Sequence, residues 1–145
     1  MRTRLFAAIA VAVALVGCQQ GHQARADTVV ALDRPFVLAG GQQATLAGTP
    51  VRVRFTGVPE DSRCPTQVEC VWTGRALVTV VVDDGGGEPA VLEFDTNPAP
   101  GLNRQTVAAA GYQLTLQALD PYPETPDPPI AFADYRVTLV LTRAA

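Results

Sequence analysis

The chain has 145 residues, of which 48% are hydrophobic and 17% charged, with a net charge of −3 at pH 7. It has no Lys, and 14 acids outnumber 11 arginines. An acidic chain without a basic patch argues against nucleic-acid binding and against adhesion to anionic lipid, and the length suits one domain with a core rather than two.

Residues 1–4 (MRTR) are basic, and residues 5–16 are an unbroken apolar run. That run is too short to span a bilayer and suits the hydrophobic region of an export signal. It ends in Leu15-Val16-Gly17-Cys18, which resembles the lipobox of bacterial lipoproteins. The resemblance implies a signal peptide over 1–17 and a lipid-modified amino terminus at Cys18. Several acyl chains on one residue hold a protein at a membrane, because one chain alone is marginal. Gln19 rather than Asp follows the cysteine, which for a lipoprotein of a two-membrane bacterium implies the outer membrane, facing the periplasm. Residues 18–26 then form the lipidated cysteine and a polar tether, with His22 as a solvated tether residue. The membrane contact expected is the lipid alone, because no further apolar run is long enough to span. With Arg2 and Arg4 removed, nine arginines face 14 acids, a net charge of −5.

Residues 27–145 read as a single all-β domain. Helical periodicity is nearly absent, and short alternating runs are broken by Gly, Pro, Asn and Asp. Candidate strands are 28–32, 35–38, 42–46 and 51–55. In the last, Val51, Val53 and Phe55 share one face and Arg52 and Arg54 the other, as in a half-buried strand. The strongest strand is 75–82, whose apolar residues populate both faces and suggest a central position. The glycines of 83–88 (DDGGGE) supply a hairpin return. A phosphate-cradling loop is disfavoured there, since acids flank the glycines and no helix follows. The spacing of Asp83, Asp84 and Glu88 matches no EF-hand loop. Strand 90–94 follows, with Leu92 and Phe94 inward and Glu93 and Asp95 outward. Residues 96–105 read as loop, 111–119 as an alternating strand and 120–129 (DPYPETPDPP) as an exposed extended connection. In 133–142, Tyr135, Val137, Leu139 and Leu141 fall on one face. Seven to nine strands in one small domain indicate a β-sandwich, here expected to be immunoglobulin-like, with one internal disulfide.

The stretch 60–74 (EDSRCPTQVECVWTG) holds both remaining cysteines and the only Trp. In an oxidising compartment Cys64 and Cys70 would most simply form a disulfide. A zinc site would need more ligands than the chain has, and the spacing is not that of thioredoxin-like pairs. Copper held by two thiolates is the metal-binding alternative. Asp61-Ser62-Arg63 reads as a polar turn, or as a place where Arg63 pairs with Asp61, Glu60 or Glu69 and locks the loop. Trp72 is expected to cap the core beside the disulfide, the alternative being a half-exposed aromatic at a binding face. Asp61, Arg63 and Trp72 are therefore the candidate binding surface.

The pattern D-S-R-C-P-x-x-V-x-C-V-W-x-G, matched by Asp61, Ser62, Arg63, Cys64, Pro65, Val68, Cys70, Val71, Trp72 and Gly74, resembles a family of small bacterial lipoproteins and secreted proteins. The resemblance extends more loosely over about a hundred residues, through Gly111-Tyr112 and the C-terminal strand. It implies an envelope-located β-domain and carries over no catalytic or binding residues.

Catalytic residue types are scarce. The domain has no His for a Ser-His-Asp or Cys-His arrangement and no Lys for amine chemistry, and Ser62 is the only Ser. The adjacent acids Glu60-Asp61 and Asp83-Asp84 lie in expected turns. These residues point to a non-catalytic, monomeric envelope domain without a cofactor, which binds an envelope protein or glycan or has a structural role. Two alternatives are inhibition of an envelope hydrolase, such as a lysozyme or protease, by the Cys64–Cys70 loop, and copper handling through the same cysteines.

Overall fold

The computed structural model describes residues 27–102 and 104–145. The signal segment, Cys18 and His22 lie outside the described residues. The nine strands are β1 (Thr28–Val30), β2 (Pro35–Ala39), β3 (Gln43–Leu46), β4 (Arg52–Asp61), β5 (Ala76–Asp83), β6 (Ala90–Asp95), β7 (Thr106–Ala109), β8 (Tyr112–Asp120) and β9 (Arg136–Arg143). One sheet runs β1-β3-β4-β5-β6 and the other β2-β9-β8-β7. The chain is thus an all-β sandwich.

The alternation of the strands builds the core. Val53 and Phe55 of β4, Val78 and Val80 of β5, Leu114 of β8, and Val137 and Leu139 of β9 are completely or almost completely buried. Each such side chain contributes about 1.5–3 kcal/mol relative to exposure. Arg52 and Arg54 point outward as the alternation requires. Phe132 packs its ring edge against Phe55, with centroids 5.1 Å apart, and closes the core ahead of β9.

Four details depart from the sequence reading. First, β5 buries Ala76, Val78, Val80 and Val82, while Leu77, Thr79 and Val81 are only half-buried. It lies between β4 and β6 but covers the core with one face. Second, β4 continues past Phe55 to Asp61 through register shifts on either side of Gly57, so it carries the chain into the cysteine-containing stretch. Third, Asp95 is buried rather than outward, because Arg75 Nη1 donates to its Oδ2 at 3.1 Å and the Asn97 amide to its Oδ1 at 2.9 Å. Fourth, β7 pairs with β8 through Ala110-Gly111, both at positive φ (54° and 78°), the signature of a type I′ hairpin turn.

Candidate functional site

The connection from β4 to β5, residues 62–75, is an arm that leaves the first sheet and returns to it. At its base the Ser62 amide donates to the Arg75 carbonyl (2.7 Å) and the Cys64 amide to the Thr73 carbonyl (3.1 Å). Gly74 sits at φ 65° with its α-carbon against Ser62, where a Cβ would collide with the Ser62 carbonyl. Only glycine meets both demands. Further out, Cys64 and Cys70 are joined in a disulfide with 5.9 Å between their α-carbons.

Asp61 and Arg63 lock the arm to the body. Arg63 Nε donates to Asp61 Oδ1 at 2.8 Å and Nη2 to Oδ2 at 2.6 Å, the bidentate geometry of a strong ion pair. Both side chains are largely removed from water. Arg63 Nη1 donates to the Leu119 carbonyl at 2.7 Å, and Nη2 to the Pro121 carbonyl at 3.1 Å. The guanidinium also lies 5.0 Å from the centre of the Tyr122 ring. From the start of β9's approach, Tyr135 Oη donates to Asp61 Oδ2 at 2.7 Å. The network therefore joins the end of β4 to β8 and to the residue ahead of β9, tying one sheet to the other.

The electrostatics follow from this geometry. Burial alone would raise the Asp61 pKa, but hydrogen bonds from Arg63 and Tyr135, together with the Arg63 charge, outweigh it and hold the carboxyl below its ordinary value. Burial, with the Asp61 hydrogen bond and charge, pushes the Tyr135 phenol up to about 12. Arg63 is raised despite burial by its bond to Asp61.

Two outer contacts brace the arm sideways. The Thr66 and Gln67 amides donate to the carbonyls of Pro123 and Glu124 in the proline-rich connection, at 3.1 and 3.0 Å. On the opposite flank Asn97 Nδ2 donates to Thr73 Oγ1 (2.9 Å) and to the Gly74 carbonyl (3.0 Å). Residues 120–129 are therefore a buttress for the arm as well as a connection.

Of the three residues expected to form a binding surface, only Trp72 is exposed. Arg63 is 7% exposed and Asp61 half-buried. Their polar groups are consumed by each other and by the backbone, which corrects that expectation and leaves the pair a structural clamp. Trp72 does not cap the core. It is 81% exposed, beside Val71 at 87%. The clamp and Gly74 fix the chain's exit angle, so the core at this end is closed by Leu119 and Tyr135 instead. Among the described residues, no hydrogen bond or ring contact involves the Trp72 side chain. Val68, on the disulfide loop, is also exposed.

A groove of about 460 Å³ opens beside the foot of the arm. Leu116, Ala118 and Leu119 of β8 line it together with Thr73, Thr96, Asn97, Gln117, Asp120 and Tyr122. Sequence reading missed it, because its walls come from segments far apart in the chain. With both cysteine sulfurs in a disulfide, no thiolate pair stands ready for copper. No protein-family model, curated protein or solved structure matches the chain.

Proposed function

We propose that this protein is a non-catalytic, lipid-anchored binding module of the bacterial envelope, which engages an envelope partner through the exposed Val71-Trp72 face of the 62–75 arm. The observation that carries the reading is Trp72, 81% exposed next to Val71 on a loop braced by a disulfide, an ion pair and bonds to both flanks. The exposed indole has no hydrogen-bond or ring partner among the described residues, and with Val71 and Val68 it forms an apolar surface on the arm. Covering about 200 Å² of aromatic surface at ~25 cal/mol per Å² makes about 5 kcal/mol available to an interface. A preformed loop spares the ordering cost that a flexible one would lose on association. The anchoring part of the proposal rests on the lipobox at Cys18, and the non-catalytic part on the scarcity of catalytic residue types.

Hydrolase inhibition is the second reading. A rigid, stapled loop with an apolar tip is the form an inserting element would take, and it differs only in the partner's identity. Capture from envelope extracts, wild type against Trp72→Ala, tests the proposal. A partner held by the wild type and weakened about 30-fold or more by the substitution is expected, as for an interface hot spot. Equal capture by both proteins would refute the Val71-Trp72 face as the contact, and a flat inhibition panel would remove the second reading.

A further inference from the structure

We infer that the groove beside the arm is a binding site for a neutral carbohydrate of one to three sugar units. The inference rests on the binding role proposed above and adds a second element to it, distinct from the exposed Trp72 face. The groove's volume of about 460 Å³ lies within the ~300–1,000 Å³ range of small-ligand sites. Its floor is apolar, formed by Leu116, Ala118 and Leu119, and its rim is polar. That division matches a sugar ring, which offers C–H faces and a perimeter of hydroxyls.

The rim chemistry narrows the ligand class. Gln117 brings a side-chain amide that both donates and accepts; Asn97, whose Nδ2 is held by Thr73 Oγ1 and the Gly74 carbonyl, brings its Oδ1 acceptor, and the Thr73 and Thr96 hydroxyls, which accept from Asn97 Nδ2 and the Ala76 amide, bring O–H donors. Sugar hydroxyls need this mixture. Asp120 adds a carboxylate acceptor, and Tyr122, 46% exposed, adds an aromatic surface. Anionic ligands are disfavoured. The groove's one cation is Arg63, and four of its five N–H groups are already committed, to Asp61 and to the Leu119 and Pro121 carbonyls. A peptide adding itself as a strand would need a row of backbone donors and acceptors along a sheet edge. Here the polar groups are side chains delivered from separate segments.

Gln117 gives the independent geometric argument. In the β8–β9 ladder Leu116 pairs with Leu139 and Ala118 with Thr138, so Gln117 is the extra residue of a bulge. A bulge re-aims the side chain it displaces and is a recurring device beside binding sites. This one is placed where the groove opens: it turns Leu119 inward to the core and leaves Gln117 exposed beside the groove.

The test is a heteronuclear NMR titration of the intact domain with three neutral probes: chitotriose, cellotriose and the N-acetylglucosaminyl disaccharide unit of a murein digest, reduced and stripped of peptide. The expected result is saturable shifts confined to the amides of residues 96–97, 117–120 and 122, with micromolar to millimolar affinity. Gln117→Ala, an exposed position whose spectrum reports its own fold, is expected to weaken binding at least tenfold. Trp72→Ala is expected to leave it unchanged. No saturable shift with any probe would overturn the inference while leaving the Trp72 proposal standing. Binding lost in Trp72→Ala but kept in Gln117→Ala would place the sugar on the Trp72 face of the arm and overturn it too. Preference for a sulfated heparin trisaccharide over the neutral probes would refute the stated ligand class.

Discussion

Arg63→Ala tests the clamp that holds the arm. The substitution removes four side-chain hydrogen bonds. It leaves the Asp61 carboxylate, with a side chain 12% exposed, held by Tyr135 and backbone alone, and it deprives the Leu119 and Pro121 carbonyls of a donor. Breaking a buried ion pair by deleting one partner costs about 3–5 kcal/mol, against a total stability of roughly 5–15 kcal/mol for a domain. For a domain of this length that corresponds to a drop in Tm of about 10–20 °C. Urea unfolding followed by far-ultraviolet circular dichroism is the suitable assay, because Trp72 is already in water and its emission reports unfolding poorly. The double substitution Asp61→Leu/Arg63→Met removes both charges while keeping bulk. It is expected to be less damaging than the sum of the two single changes, with a coupling above about 2 kcal/mol. A loss below about 1 kcal/mol for Arg63→Ala, or simple additivity in the cycle, would refute the reasoning.

Tyr135→Phe removes the phenol's bond to Asp61 and is expected to cost about 1.5–3 kcal/mol at neutral pH, as for a hydrogen bond to a charged group. In the wild type the phenol's pKa is raised to about 12, so the folded state binds its proton more tightly than the unfolded chain. Its contribution is complete below about pH 10 and is lost as pH rises towards 12. That alkaline loss, read by urea midpoints across the range, should be absent from Tyr135→Phe. Asp61 has the opposite sign, since its pKa is lowered: its contribution is present above about pH 4 and is lost as pH falls through the folded value. Gly74→Ala should be among the most damaging single changes in the arm, because positive φ and the Ser62 carbonyl both oppose a Cβ; proteolysis of 65–72 should accelerate. Replacing both Cys64 and Cys70 with Ser should cost about 2.4 kcal/mol by the chain-entropy model for a seven-residue loop, while the Asp61–Arg63 clamp keeps the base of the arm closed.

The sandwich was legible because its core strands alternate cleanly: Val51-Val53-Phe55, Leu114-Leu116 and Tyr135-Val137-Leu139-Leu141 all fall on buried faces. β7 was not legible. Thr106-Val107-Ala108-Ala109 carries one large apolar residue and sits at a sheet edge, so burial left little mark on its sequence. The Ala110-Gly111 turn was the signal that could have revealed it. Strand order was also hidden, because pairings such as β2 with β9 and parallel β1 with β3 join segments whose local patterns are the same in any arrangement. The Asp61–Arg63 pairing was one of the options the residue types allowed. Its burial was not, since that depends on Leu119, Pro121 and Tyr135 arriving from elsewhere. Trp72 shows the limit of hydropathy most clearly. A lone large aromatic beside a disulfide reads as core, and only the exit angle set by Gly74 and the clamp turns it outward.

Placing a photoactivatable benzoylphenylalanine at position 72 in the exported, full-length protein tests directly whether the Trp72 face of the arm meets a partner in the envelope. The account predicts a discrete cross-linked species on irradiation, with none from the same group placed at Val37, which is exposed on β2 of the other sheet. Cross-linking of equal yield and pattern from both positions, or none from position 72, would contradict it.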